Sequence, residues 1–476
     1  MSSPATLGEL HDAGYPDRSV KDELRTNLVA RLRASGPLFP GLVGYDDSVL
    51  PTLERAILAG HDVIILGERG QAKSRLIRRL TDLLDESVPV ISGCEVNDHP
   101  FRPICRRCRD LVEEKRTATP VSWIGPELRF AEKLATPDTA VADLIGDVDP
   151  IRVAEGRYLG DELTIHYGLV PRTNRGIFAV NELPDLPERI QVSLLNILEE
   201  RDVQVRGYKI RLPLDLMLIA SANPEDYTHR GRIITPLKDR FGSQIRTHYP
   251  QRIEHEIAIM DQEATPPPPG LPVKVPVHLK ETIAAFTAAL RLSPQVNQKS
   301  GVSVRFSIGA LEMLSASALR RALRGDEHEA VPRAVDLWSI LPAATGRIEF
   351  DSLEEGREPE IMSRALRKAI MEVWRRRLGG ENFTALLDRF DNGLVAETSD
   401  LMGATDFLAQ FELGETTGWG ALPGVGRFTT RLGFGEESPE AVASALEFTL
   451  EGLYLAKRIN KEETGAPGSW RFGEAA

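Results

Sequence analysis

The segment that most constrains the fold of this chain is a short apolar run followed directly by a glycine-rich loop. The run, Val63–Leu66, consists of branched apolar residues, which predicts a strand buried on both faces, as in a parallel sheet. The loop at residues 67–74 comes next, and a helical pattern begins at Lys73 and continues to Leu84. A strand, a glycine-rich loop and a helix in this order are typical of a phosphate-binding P-loop.

Each part of this loop has a predicted task on a nucleotide. Its glycines let backbone N–H groups surround phosphates, and the N-terminus of the following helix favours negative charge. Lys73 would contact the β- and γ-phosphates, and the Ser74 hydroxyl would bind Mg²⁺. Ala72 departs from the motif, which has Gly before the lysine, and it fits there if its backbone is helical. The loop residues are Gly67, Glu68, Arg69, Gly70, Gln71, Ala72, Lys73 and Ser74. The alternative is a glycine-rich turn that binds no nucleotide.

Two later strand patterns end in polar residues that could complete such a site. Residues 176–180 lead to Asn181 and Glu182, and Glu182 has the chemistry needed to polarise an attacking water. Asn181 stands where P-loop enzymes usually place an Mg²⁺-binding Asp, and its amide brings no charge. The alternative is an Asn-Glu helix cap without a catalytic role. Asn223 follows the strand pattern at 214–220 and is a candidate sensor of the γ-phosphate.

All three cysteines lie close together, at Cys94, Cys105 and Cys108, in a predicted insertion over about residues 94–125. Cys105 and Cys108 have the spacing of metal ligands, and His99 lies between Cys94 and this pair. Three thiolates and one imidazole would complete a tetrahedral zinc site. The alternatives are a loop without metal and a redox-active pair of thiols. The neighbouring arginines are followed by acidic residues, which favours a solvated face over a nucleic-acid patch.

Length and composition restrict the class of protein further. The chain has 476 residues, 42% of them apolar and 27% charged, which is ordinary for a globular protein and excludes global disorder. No run approaches the roughly 18 apolar residues of a membrane-spanning helix. The N-terminus lacks a signal-peptide pattern, so we expect a cytoplasmic protein with reduced thiols and no membrane partner. A net charge of −12 disfavours binding to nucleic acid.

The order of these motifs resembles that of the AAA+ ATPases, and within them the clade of the magnesium-chelatase small subunit and the MoxR-type proteins. The resemblance covers roughly residues 37–340. Ala before the P-loop lysine also occurs in MoxR-type proteins. The matching segments are Val43-Gly44 near the adenine, the P-loop, an insert at 143–147, Asn181-Glu182, a hairpin at 203–210, Asn223-Pro224, the segment at 236–241 and the start of the helical stretch at 303–305.

This resemblance implies a P-loop AAA+ core, a three-layer αβα arrangement around a parallel sheet, followed by an α-helical lid. It also implies a ring of identical subunits, commonly a hexamer, with ATP between neighbours. Arg240 would then be the finger that reaches a neighbour's γ-phosphate, and Arg305 the lid sensor on the subunit's own nucleotide. For both arginines the alternative is a surface residue with a local salt bridge.

A predicted division of the chain follows from these patterns. Strand and helix patterns alternate up to the proline-rich run at 265–270, and helical patterns dominate after it, notably at 278–292, 307–324, 331–340 and 361–377. A further helix should begin after Ser438 as N-cap. The predicted parts are an N-terminal helical segment (1–36), the AAA+ core (37–262), a proline-rich linker (263–276), the helical lid (277–345) and a mostly helical C-terminal region without an assigned role (346–476).

The function predicted from the sequence is that of a Mg²⁺-dependent ATPase that remodels or activates a partner protein. Partners in the resembled clade often carry a von Willebrand-type metal-binding domain, and one branch inserts Mg²⁺ into a porphyrin, although no porphyrin site is visible in this sequence. One alternative is a nucleotide-dependent scaffold with little hydrolysis, which Asn181 favours. Another is an AAA+ transcription activator, but the Gly-Ala-Phe-Thr-Gly-Ala loop of such proteins does not occur in the sequence.

Overall fold

The structure is a computed structural model that describes most of the chain. The described residues are 3–34, 36–149, 151, 154, 162–200, 203–205, 208–210, 212–224, 233–297, 300–325, 327–351, 356–413, 422–435, 438–465 and 468–474. The turn of the hairpin predicted at 203–210 lies outside them, as do residues 414–421. The chain divides into two compact units, Met1–His248 and Tyr249–Ala476. The finer division into five parts stays a prediction.

The first unit contains a parallel sheet that has five strands in the described part of the chain. Their order is β11-β1-β10-β7-β4, and every neighbouring pair is parallel. Alternate side chains of these apolar strands enter two separate cores, with Ile64 on one face and Ile65 on the other. Burial on both faces explains the continuous apolar runs. The strands of this unit are β1 (Val63–Leu66), β2 (Val88–Ile91), β3 (Val121–Ile124), β4 (Phe130–Leu134), β5 (Gly146–Val148), β6 (Ile165–Tyr167), β7 (Gly176–Asn181), β8 (Val203–Val205), β9 (Tyr208–Ile210), β10 (Leu216–Ala222) and β11 (Ser243–Arg246).

Helices lie on both faces of this sheet, so the predicted three-layer αβα core is confirmed. The helix after the P-loop begins at Lys73, as expected, and runs on into a 3₁₀ turn at Leu80–Leu83. The α-helices of the unit are Leu7–Asp12, Val20–Arg33, Val49–Leu58, Lys73–Arg79, Arg106–Lys115, Val141–Leu144, Leu169–Arg172, Glu188–Glu200 and Thr235–Arg240.

The strand at residues 88–92 lies outside the main sheet. This apolar run predicts one of the strands that alternate with helices, but β2 pairs antiparallel with β3 in a separate two-stranded sheet. The edge of the main sheet beside β7 is instead formed by β4. This strand is only half-buried and carries Glu132 and Lys133, so its pattern is not that of a strand buried on both faces. The predicted hairpin is confirmed by the antiparallel pairing of β8 with β9.

The second unit is mainly helical, as predicted, and packs around one large apolar core. Ser438 caps its last helix by accepting the N–H of Ala441, with Pro439 at the first helical position. The residues predicted as a helix at 331–340 form a 3₁₀ helix, Ala334–Ile340. The α-helices are Ile253–Glu263, Val277–Arg291, Val304–Gly325, Leu341–Ala344, Glu358–Leu378, Thr384–Asp391, Ala404–Ala409, Val425–Arg431 and Pro439–Leu455.

The C-terminal region also contains a small antiparallel sheet that the sequence patterns do not predict. It consists of β12 (Ala396–Ser399), β13 (Asn460–Glu463) and β14 (Ser469–Gly473), with β14 in the centre. Two of these strands are only four residues long, and Asn460–Glu463 contains no apolar residue, so they lack the alternation that indicates a strand. No helix among the described residues is both long enough and apolar enough to cross a membrane.

Candidate functional site

The candidate site lies where adjacent parallel strands of the first unit end. The P-loop follows β1, Glu182 follows β7 and Asn223 follows β10. Because β10 lies between β1 and β7, all three segments leave the sheet at the same edge. Ligands of open α/β sheets bind at the carboxyl ends of the strands, which is this edge.

Side chains from distant parts of the unit hold the P-loop in shape. The Gln71 amide oxygen accepts the Glu68 N–H at 3.0 Å and the Thr247 hydroxyl at 2.7 Å. A Cβ at Gly67 would overlap both Gln71 and Thr247, so glycine is required there. The Tyr45 hydroxyl lies 2.7 Å from the carbonyl oxygen of Gln71, and burial raises the pKa of this tyrosine. Val43 and Gly44, which directly precede Tyr45, are thereby tied to the loop.

Lys73, Asn223 and Glu182 are linked by direct contacts. The Lys73 ammonium is buried, and it donates to the Gly67 and Glu68 carbonyls and, at 2.6 Å, to the Asn223 side-chain oxygen. The Asn223 amide N–H donates at 2.9 Å to a carboxylate oxygen of Glu182. The structure therefore brings together the three residues to which the sequence assigns phosphate binding, sensing and water activation.

Two non-glycine residues at this site have left-handed backbone conformations. Ala72 has φ 52° and ψ 21°, which is the left-handed helical region and not the right-handed one of the helix that follows. Glu182 has φ 54°. Each such conformation costs a non-glycine residue about 1 kcal/mol or more, and strained residues of this kind are concentrated at functional sites.

The side-chain amide of Asn181 forms hydrogen bonds with neighbouring side chains. Its oxygen accepts the Ser221 hydroxyl at 3.0 Å, and its nitrogen donates to the carboxylate of Glu132 on β4. Glu132 also binds Arg78, at 2.7 Å, on the helix that starts with Lys73 and Ser74. A carboxylate therefore stands beside the asparagine, contributed by the neighbouring strand. Sequence analysis missed Glu132 because β4 was not predicted as part of the sheet.

The remaining residues that the sequence assigns to nucleotide binding or catalysis are more exposed. Ser74 is partly exposed in the first turn of its helix, and Arg69 is exposed on the loop. Arg240 is exposed at the end of the helix Thr235–Arg240 in the first unit. Arg305 is exposed in the second unit, near the start of Val304–Gly325. The roles assigned to them stay predictions.

The three cysteines also come together, but their fourth neighbour is Asp98 rather than His99. One ligand atom from each of Cys94, Asp98, Cys105 and Cys108 lies within 4.8 Å of the others. Among the described residues His99 is not part of this group. Its Nδ1 accepts the Phe101 N–H at 3.1 Å, and its Nε2 lies 3.7 Å from Asp17. Burial lowers the pKa of His99 to about 4 and raises the pKa of Asp98 to about 7.

The sheet order and the contacts among its strand ends define a P-loop nucleotide-binding core of the AAA+ class. The sigma-54 interaction domain family matches residues 153–240. The chain is 29% identical over 261 residues to the magnesium-chelatase 38 kDa subunit of Rhodobacter capsulatus, a match that covers 50% of this chain and 66% of that protein. It is 28% identical over 280 residues to the magnesium-chelatase subunit ChlI of a Nostoc species, covering 56% of this chain and 70% of that one. For ChlI of Guillardia theta the identity is 30% over 223 residues, and the match covers 44% of this chain and 58% of that protein.

The chain thus spans between 58% and 70% of the length of these relatives. Among solved structures, the complex of the magnesium-chelatase subunits BchI and BchD has a chain that is 21% identical, with a TM-score of 0.35 and coverage of 68% of this chain and 98% of that one. NtrX of Brucella abortus in complex with ATP is 16% identical, with a TM-score of 0.37. The match covers 76% of this chain and 69% of that one. The chain therefore has an AAA+ fold, and its sequence is similar to those of magnesium-chelatase subunits.

Proposed function

We propose that this protein binds ATP with Mg²⁺, hydrolyses it, and uses the cycle to remodel or activate a partner protein. The observation that carries the proposal is the chain of contacts from Lys73 through Asn223 to Glu182. It joins a buried cation, a polar sensor and a carboxylate at the carboxyl ends of three adjacent parallel strands. These are the groups that phosphoryl transfer to water requires.

Each of the three side chains has a separate role in this proposal. The Lys73 ammonium binds phosphate oxygens, which are anionic and can replace the carbonyl and amide oxygens that it contacts in the structure. Glu182 orients a water and accepts its proton. Asn223 touches both of them, so a γ-phosphate that draws Lys73 away also changes the hydrogen bond that holds Glu182.

Residues suited to Mg²⁺ stand beside this group. Mg²⁺ prefers oxygen ligands, and when bound it neutralises charge on the β- and γ-phosphate oxygens. Ser74 offers a hydroxyl and Asn181 an amide oxygen. Neither carries a charge, so we assign the missing negative charge to Glu132, which contacts Asn181 directly. In this assignment Glu132 supplies the negative charge that the Asn181 amide lacks, so the asparagine is compatible with hydrolysis.

The decisive experiment compares the wild type with Glu182→Gln. The variant should retain ATP affinity and lose about 10² to 10⁴ in hydrolysis rate, because it removes a positioned base without removing a phosphate contact. Phosphate release and calorimetric ATP titration measure the two effects. Glu188→Gln is the matched control, since Glu188 is an exposed glutamate six positions along the chain.

Two results would contradict the proposal. Wild-type protein without turnover at saturating Mg-ATP would leave a nucleotide-dependent scaffold as the function. A Glu182→Gln variant that hydrolyses ATP at the wild-type rate would remove Glu182 from the catalytic role.

We further propose that the active form is a ring, a hexamer as in the resembled clade, in which Arg240 acts on the ATP of a neighbour and Arg305 on that of its own subunit. The exposure of Arg240 at a helix end supports a contact with another subunit. Arg240→Ala should bind ATP and hydrolyse it poorly. In mixed rings, an Arg240→Ala pocket facing a Glu182→Gln neighbour regains every catalytic group, so activity should return. Mixed rings that stay inactive would contradict the role in trans.

The partner is proposed from the relatives alone. The BchI structure is a complex with BchD, so a second subunit of that kind, with a von Willebrand-type metal-binding domain, is the first candidate. Affinity capture from the native host with Glu182→Gln, which should hold ATP, identifies the partner. The match to the sigma-54 interaction domain supports transcription activation as a second candidate. Capture of RNA polymerase with a sigma factor would favour that function.

A further inference from the structure

The three cysteines and Asp98 form a buried cluster that the nucleotide site does not use. Cys94 lies in the turn after β2, Cys105 is the N-cap of the helix Arg106–Lys115, and Cys108 lies in the first turn of that helix. Cys105, Cys108 and Asp98 are buried, and Asp98 has no exposed surface. The Cys94 and Cys105 sulfurs are 4.0 Å apart. Two thiolates on one tetrahedral zinc ion are about 3.8 Å apart, from a Zn–S length of about 2.3 Å.

The two carboxylate oxygens of Asp98 have different surroundings. Oδ2 accepts the backbone N–H groups of Ile104 at 3.1 Å and Cys105 at 3.0 Å, which fixes the direction of the side chain. Oδ1 is buried and has no hydrogen-bond partner among the residues that the structure describes. A buried carboxylate oxygen without a partner is costly, and a cation is the natural group to satisfy it.

Hydrogen bonds to the sulfurs also favour a metal site. The Asp98 N–H donates to the Cys94 sulfur at 3.4 Å, and the Arg107 guanidinium donates to the Cys108 sulfur at 3.7 Å. Donors of this kind stabilise negative charge on thiolates, and thiolates are the form in which cysteine binds zinc.

We propose that Cys94, Asp98, Cys105 and Cys108 bind one structural zinc ion. Three sulfurs and one carboxylate oxygen fill a tetrahedral site and leave no open position, which distinguishes a structural from a catalytic zinc. A disulfide between Cys94 and Cys105 accounts for the cluster less well, because it would leave Asp98 Oδ1 without a partner.

The ion would fasten the turn after β2 to the start of the helix Arg106–Lys115. That helix in turn holds Glu162, through the Arg106 N–H at 2.7 Å and the Arg109 side chain at 3.2 Å. Glu162 leads into β6, one strand of the β5-β6 pair. The zinc site therefore fixes the support of the β5-β6 pair, and its role is mechanical.

The test is the metal content of the full chain, expressed in zinc-supplemented medium and purified without chelators. Elemental analysis should find about one zinc per chain. Replacement of zinc by Co²⁺ should produce sulfur-to-cobalt charge-transfer absorption and the visible bands of a tetrahedral site, which needs no variant. Protein that neither carries zinc nor binds added Zn²⁺ or Co²⁺ would overturn the proposal. So would a disulfide among these cysteines in freshly purified, unreduced protein, detected by mass spectrometry.

Two neighbouring variants test the ligand set. Asp98→Asn should weaken zinc binding by more than about tenfold in competition with a chromophoric chelator, because it removes the charge of a ligand. His99→Gln should leave the affinity unchanged, because His99 faces Asp17. Equal affinity in wild type and Asp98→Asn, or a loss in His99→Gln as large as in Asp98→Asn, would overturn the assignment. Circular dichroism of both variants confirms that they fold.

Discussion

Each unit contains a cluster with buried charged side chains, and the two clusters hold these charges in different ways. In the first unit the buried Lys73 contacts polar groups at an open edge of the sheet. In the second, Arg321, Arg333, Asp336 and Glu447 are at most 1% exposed and lie inside the unit. Arg321 donates to both carboxylate oxygens of Asp336, at 2.9 and 2.8 Å, and Arg333 lies 3.2 Å from Glu447.

This difference shows that burial of charge alone does not identify a functional site. The second cluster is held by groups of its own unit, since Glu447 accepts the Val335 N–H at 2.6 Å and Arg333 donates to the carbonyls of Ser399 and Met402. Among the described residues, Arg321 Nε, Arg333 Nε and Arg333 Nη1 have no hydrogen-bond partner. Its charges pair with one another across three segments of chain, and that pairing serves packing. At the sheet edge the cation contacts carbonyl and amide oxygens at the point where a ligand can enter. Substitution in the second cluster should therefore lower the stability of the protein, whereas substitution of Lys73 should weaken ligand binding.

The largest expected effect is on the stability of the second unit. Glu447→Ala removes one partner of a buried ion pair and leaves Arg333 without its carboxylate, so it should lower the free energy of unfolding by about 3–5 kcal/mol. Denaturant titration measures this. Arg471→Ala, which breaks an exposed pair with Glu397, should cost less than about 1 kcal/mol.

A double variant keeps this prediction testable if Glu447→Ala fails to fold. Arg333→Met combined with Glu447→Leu replaces both charges by apolar groups and should recover most of the stability. A double variant as unstable as Glu447→Ala would show that the charges themselves, and not their pairing, hold the unit together.

The second effect in size concerns ligand binding in the first unit. Lys73→Ala removes the cation from the phosphate site and should weaken ATP binding by at least about 100-fold, or roughly 2.7 kcal/mol. Calorimetric titration gives the affinity, and a denaturant midpoint near that of the wild type would separate this from a folding defect. If Lys73→Ala instead lowered the free energy of unfolding as much as Glu447→Ala and kept ATP affinity, the contrast between the two clusters would be lost.

The smallest effect is a pH dependence in the second unit. His278 is fully buried, and burial lowers its pKa from 6.5 to about 3. Below pH 6.5 the unfolded chain binds a proton that the folded chain excludes, so stability should fall as the pH falls from about 6.5 towards 3. From pH 7 to 5 we expect a loss on the order of 1–2 kcal/mol.

Comparison with His278→Gln isolates the contribution of this group. Burial also raises the pKa of Glu447, which acts in the opposite direction because the folded state then binds a proton more readily. The difference between wild type and variant should therefore be larger at pH 7 than at pH 5. A difference independent of pH would contradict the burial of a neutral imidazole.

The site residues that could be predicted share one property. The sequence pattern that indicates each of them is local in the chain. A glycine loop after an apolar strand indicates Lys73 and Ser74, and Asn181-Glu182 is recognised by its place after another apolar strand. Glu132 could not be found in this way. It lies 49 positions from Asn181 and becomes its neighbour only because β4 pairs with β7. The sequence favours His99 over Asp98, because imidazole is a common zinc ligand. In the structure, Asp98 and not His99 lies with the three sulfurs.

The sequence by itself determined the α/β core, the P-loop, the nearby cysteines and most helices of the second unit. Each of these depends on periodicity or spacing within some tens of residues, where backbone geometry relates position in the chain to position in space. The tertiary structure alone decided the edge strand, the small C-terminal sheet, the partners of Asn181 and the buried ion pairs. Lys73 and Asn223 are 150 residues apart, and only the sheet order places their side chains in contact.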